Sequence, residues 1–170
     1  FNLNSGKING NKAQAYGGGV YVAGGTFNLN GGEISGNEAS SGGGMDYEAG
    51  KVTINKGSTI SGNVANYGGG VLVSGKDITM SGGSITGNGT KGNNYRYGGG
   101  VCIAQYTDHD TQTPYSGVFT MTGGSITGNT AGSRGAGVYF LNGGTFKVSG
   151  DANVTGNTVG NSANNVYLTD

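Results

Sequence analysis

Side chains able to do chemistry fall in three places along this chain of 170 residues. Asp46 and Glu48, in GGGMDYEAG, are the only close acids within its strand-like segments. Paired carboxylates are the equipment of glycoside hydrolysis. The neighbouring repeats carry no acid at these positions, and Glu33, Glu38, Asp77, Asp151 and Asp170 are scattered. A hydrolase or a calcium-assisted lyase face is therefore not supported. The second place is 89–97, GTKGNNYRY, with Tyr95, Arg96 and Tyr97. The third is 104–117, AQYTDHDTQTPYSG, with Tyr106, Asp108, His109, Asp110 and Tyr115. Tyrosine stacks on sugars and peptides at small entropic cost. Asp108, His109 and Asp110 have metal-ligating chemistry, but three consecutive side chains rarely converge on one ion. No metal and no cofactor are expected. Cys102 has no base nearby and no nucleophile motif, so it reads as a small packing residue. A lone cysteine excludes an intrachain disulfide.

The elements that must carry these residues are repeats. GGGVYV at 17–22 returns as GGGMDY, GGGVLV, GGGVCI and GAGVYF, and in degenerate form as ANNVYL at 163–168. A second alternating segment runs FNLN, VTIN, ITMS, FTMT, FKVS. A third closes on Gly-Asn: INGN, ISGN, ITGN, VTGN. Equivalent segments recur about every 26 residues, too far apart for hairpins, so they should pair in parallel. The expected fold is all-β: a right-handed parallel β-helix of about six coils, one domain over 1–170, the hand following the rule for parallel crossovers. One coil cannot bury its apolar face alone; stacking joins the faces into a core. Val20, Val22, Phe27, Leu29 and Ile34 should point inward, with Val71, Val73, Ile78, Met80 and Ile85 above them. Asn11, Asn37, Asn63, Asn88, Asn129 and Asn157 should form a corner ladder, because a carboxamide can donate and accept between layers.

The segments 89–97 and 104–117 exceed the lengths of their counterparts and flank one strand, so they read as insertions on a rigid scaffold, where binding usually resides. Tyr21, Asp46, Leu72, Cys102, Tyr139 and Tyr167 should form an outward stripe. Leu72, Cys102 and Tyr139 would then floor a groove rimmed by the insertion tyrosines, Arg96 and His109. Threonines at 79, 120, 86, 127 and 155 stack as on ice-binding solenoids, although Asn28, Thr53 and Lys147 interrupt them. Nine acids balance nine bases without clustering, which argues against nucleic acid. No apolar run reaches the roughly 18 residues of a membrane span. The chain begins at a second segment and ends just after a first, as a piece of a longer repeat protein would. Bare end coils should favour end-to-end self-association.

GGGV with IxGN resembles the repeats of polymorphic outer-membrane proteins, GGA(I/V) and FxxN. TFNLNGGEISGN resembles pectate-lyase-like β-helix segments in large surface proteins of anaerobic bacteria. The resemblance covers nearly the whole chain. It implies export, an extracellular or cell-surface location, and a non-catalytic stalk or adhesin that presents a surface to host glycans or proteins. A carbohydrate-binding or carbohydrate-active β-helix is the alternative expectation, and an ice-binding solenoid a lesser one.

Overall fold

A computed structural model describes residues 1–75, 77–92, 96–107 and 114–169, with the backbone alone for Tyr106 and Thr107. The chain is an all-β solenoid of about six turns. Its first sheet stacks Val20–Val22, Met45–Tyr47, Val71–Val73, Val101–Thr107, Val138–Leu141 and Val166–Tyr167. The second runs from Asn2–Leu3 to Thr145–Val148, and the third from Lys7–Asn9 to Asn153–Thr155. Pairing within all three is parallel and register-perfect, so Val71 lies between Met45 and Val101, and Ile85 between Ile60 and Ile126.

Register decides the core. Because identical positions superpose, each inward residue meets its own counterpart, and Leu29, Ile54, Met80 and Met121 are fully buried in one column. The expected inward residues all join this cluster, Val20 packing against it half-buried. Tyr47 also points inward, its hydroxyl donating to the Gly50 carbonyl at 2.8 Å. On the outside, Asn4, Asn30, Asn55 and Ser81 form a hydrogen-bonded column of their own, and Thr79 lies level with Thr53 and Thr120.

The triple glycine has two separate causes. The first glycine turns the corner in the left-handed region, as Gly68 does with φ 62°. The third meets the layer above. A Cβ on Gly70 would lie 2.6 Å from the Gly100 carbonyl oxygen and 3.0 Å from the Asn88 amide nitrogen. Gly70→Ala should therefore cost about 3 kcal/mol, as overpacking against backbone does. Gly24 has open space around its Cβ position, so Gly24→Ala should change stability by less than about 1 kcal/mol. Urea midpoints of the two variants test this; equal midpoints would contradict the close-approach account.

Two expectations change. The insertion 104–117 is not a plain loop. The first-sheet strand runs on to Thr107, and Pro114–Ser116 returns antiparallel to it, Tyr115 level with Tyr106. The strand thus continues out of the solenoid as a hairpin arm. The last layer also departs from the repeat. Asn165 takes the place of the third glycine, and its side-chain oxygen accepts from the Asn157 backbone at 3.1 Å and amide at 3.0 Å. A short antiparallel pair, Thr158–Val159 with Ser162–Ala163, lies beside it. Val148, Val166 and Leu168 are still exposed there.

Candidate functional site

Two residue columns run along the face of the first sheet. The strand column is Tyr21, Asp46, Leu72, Cys102, Tyr139 and Tyr167. Five residues earlier in each coil stands a corner column of Tyr16, Ser41, Tyr67, Tyr97 and Arg134, aligned by parallel bridges. The chain turns sharply at the glycine between them and lays the corner residue over the strand residue. Tyr16 stacks on Tyr21 with ring centroids 5.8 Å apart, and Tyr97 on Tyr139 at 4.4 Å.

This covering buries the middle of the outward stripe, while Tyr21 stays exposed and Tyr167 half-buried. Leu72, Cys102 and Tyr139 are 8%, 0% and 4% exposed. With Ala104 they form a second apolar cluster, packed under Tyr67 and Tyr97 and flanked by Leu141 and Tyr167. Leu72, Cys102 and Tyr139 cannot floor an open groove along their length. Cys102 is a packing residue: burial, then the Asp46 charge, pushes its thiol up to about 12, so a thiolate is inaccessible near neutrality. Tyr139 is likewise raised, chiefly by burial. The stack continues from Tyr139 to Tyr167 at 5.8 Å, with the Arg134 guanidinium 4.9 Å from the Tyr167 ring centre.

The covering fails in one layer. In the second coil the corner residue is Ser41, between Tyr16 and Tyr67, and the strand residue is Asp46, between Tyr21 and Leu72. A notch of about 220 Å³ opens there, lined by Tyr16, Tyr21, Asp46, Glu48, Leu72 and Ser74. Asp46 lies on the strand Met45–Tyr47 and Glu48 just past its end, and both line the notch. Tyr21 donates its phenol proton to Glu48, which holds that ring at the notch wall. Asp46 is only 3% exposed, and its Oδ2 has no hydrogen-bond partner. Burial, with the Glu48 charge second, pushes its carboxyl up from the usual 3.8 to about 7. Buried acceptors almost always find donors; this one lacks a donor from the chain.

The other candidates divide. Tyr97, Leu72 and Tyr139 come together as packing. Arg96 turns back onto the chain, its Nε donating to the Lys91 carbonyl at 3.1 Å. Tyr115 is half-buried on the hairpin arm. Tyr95, Asp108, His109 and Asp110 lie outside the described residues, as does the side chain of Tyr106. Among the described residues no three His, Cys, Asp or Glu side chains could together hold a metal ion, and no helix is long and apolar enough to cross a membrane. The residues that sequence reasoning passed over are Tyr16, Ser41 and Ser74. The available signal was the tyrosine preceding the glycines at 16, 67 and 97, and its replacement by Ser41. Compared with models of known families, with curated proteins and with solved structures, the chain matches none.

Proposed function

We propose that this β-solenoid is a non-catalytic scaffold, secreted or displayed on a bacterial surface, that carries a saccharide-binding notch on a rigid rod. The observation behind this reading is the gap in the tyrosine columns at Ser41 and Asp46, where aromatic walls meet a buried acceptor. Rings supply flat apolar faces for a sugar, and a few fixed polar groups orient it. A rigid rod suits this task because Tyr21, Asp46 and Leu72 lie on paired strands, with Glu48 and Ser74 just past two of them, and their ordering cost is met by folding. The repeat resemblance to surface proteins supports the location and the stalk or adhesive role.

The test is a glycan-array screen followed by titration of the best ligand. Tyr16→Ala removes one wall and should weaken binding about tenfold, the upper range for a ring contact. Ser41→Tyr restores the tyrosine of the flanking coils and should close the notch, abolishing binding while the fold persists. Deleting 106–115 from the hairpin arm should leave affinity unchanged. If binding survives Ser41→Tyr and vanishes with the deletion, the arm is the binding element and the notch reading is wrong.

A carbohydrate-active reading draws on one further observation. Asp46, pushed up to about 7 chiefly by burial, has the raised carboxyl pKa that a general acid uses. Release of reducing ends from a ligand found on the array would establish it.

A further inference from the structure

We propose that the notch selects a saccharide bearing a free, protonated amine: a hexosamine, in preference to a neutral or an acidic sugar. This rests on the saccharide reading of the same site and names the class of sugar. Three observations carry it.

The first is the unpartnered Oδ2 of Asp46, nearly completely buried at the wall of the notch. No group of the described chain supplies the donor it lacks, and a cation held against the Asp46 side chain in the notch would offset its charge. An ammonium group is the strongest such donor for a carboxylate, because a charge-assisted hydrogen bond is roughly twice as strong as a neutral one. The second is the sign of the charge. Among the described residues, the ionisable side chains lining the notch are Asp46, Glu48, Tyr16 and Tyr21, with no lysine, arginine or histidine. From these residues a uronate would meet two carboxylates and no cation, so they repel an acidic polysaccharide and attract an amino sugar. The third is the pair of stacked rings. Tyr16 and Tyr21 offer π faces that attract cations and accept the apolar face of a sugar ring. Volume separates a sugar from a bare amine. At about 220 Å³ the notch holds roughly seven waters' worth of space, at about 30 Å³ each. A sugar ring fills such a space, whereas a lysine tip leaves most of it wet. The ligand amine would pair with Asp46, and its hydroxyls with Ser74 and the free edge of Glu48.

Titration calorimetry on the intact chain at pH 7 separates the possibilities. The probes are glucosamine, glucose, N-acetylglucosamine, glucuronate and Nα-acetyl-lysine amide. Glucosamine should bind at least tenfold tighter than each of the others. Asp46→Asn keeps the shape, removes the charge, and should weaken glucosamine about 10- to 100-fold, the range for loss of a hydrogen bond to a charged group. It should weaken glucose by a smaller factor than glucosamine, and its denaturation curve should show an intact fold. Ser41→Tyr, a second variant outside the polar set, should abolish glucosamine binding by filling the space. Equal binding of glucose and glucosamine would overturn the charge selection and leave the saccharide reading standing. Lysine amide binding as well as glucosamine, or glucuronate binding tightest, would overturn the hexosamine assignment. Failure of all five probes to bind would defeat both readings of this notch.

Discussion

Asp46→Leu should stabilise the protein at pH 8, by a margin about 4 kcal/mol larger than at pH 4. The reason is the cost of an ionised carboxylate placed in an apolar column between Tyr21 and Leu72. With the folded-state carboxyl at about 7 against an ordinary 3.8, the folded protein holds a proton that the unfolded chain has released. Between those values the native state binds more protons, so this group makes stability fall as pH rises. Below about 3.8 both states are protonated and the cost is absent; above about 7 it is fully present. Three units at about 1.4 kcal/mol each give the margin. Leucine carries no such term, and it extends the apolar cluster of Leu72, Cys102 and Tyr139 by one layer.

Comparing variant with wild type at each pH isolates this group. Glu33 and Glu38 have the opposite sense: hydrogen bonds from Lys7 to Glu33, and from Lys91 and Lys12 to Glu38, hold both carboxyls low, so each favours the fold above its unfolded value. Their contribution cancels in the difference. Urea unfolding at several pH values gives the curve. A difference that stays flat from pH 4 to pH 8 would mean that Asp46 is well solvated or partnered, and the site argument would lose its basis. The expected gain also bears on function. A leucine would suit this position better than an acid, so retention of a destabilising acid fits a position serving binding.

The solenoid was legible because its information is repeated. Strict alternation in FNLN, VTIN and ITMS sets the inward face, the spacing forces parallel pairing, and the constant Gly-Asn marks one corner of every coil. What faces outward was harder to read. Alternation places Leu72, Cys102 and Tyr139 on the outside of their strand, and they are; alternation does not say that Tyr67 and Tyr97, from the preceding corner, fold back over them. That covering depends on the turn at the glycines, a local conformation without periodic trace. The notch was illegible for the same reason, since a gap exists only against a cover. Asp46 and Glu48 were visible as a pair, but burial, which makes Asp46 unusual, comes from Leu72 one layer above and the tyrosines one layer below. The hairpin arm escaped notice because the segments that pair in it, 105–107 and Pro114–Ser116, belong to no repeat.

Asn63→Ala should cost about 3–6 kcal/mol, far more than the same change at Asn11. The difference tests whether the corner asparagines act as a ladder or as independent turn residues. Asn63 is fully buried. Its side-chain oxygen accepts from the Asn37 backbone at 2.9 Å and from the Asn37 amide at 3.0 Å. Its own amide donates to the Asn88 side chain and to the Ile34 carbonyl, each at 2.9 Å. The same connections recur from Asn37 through Asn157. Alanine strands the Asn37 backbone donor and at least one further group in a dry corner, at about 1–3 kcal/mol for each, and leaves a void. Asn11 is exposed, its side-chain amide donates to the Asn37 oxygen, and its backbone N–H, which alanine keeps, donates to the same oxygen, so its replacement should cost about 1 kcal/mol or less. Asn63→Asp separates the two halves of the carboxamide. It keeps the acceptor for Asn37 but turns an oxygen toward the Asn88 oxygen and the Ile34 carbonyl. At pH 8 it should be worse than alanine, because the charge is buried against acceptors. In acid a protonated carboxyl regains one donor, so this variant should recover stability as pH falls. Asn63→Ala combined with Asn88→Ala should cost less than the sum of the two, since the bond between them can be lost only once. Equal costs at Asn11 and Asn63, or strict additivity of the double variant, would show that each asparagine merely serves its own turn.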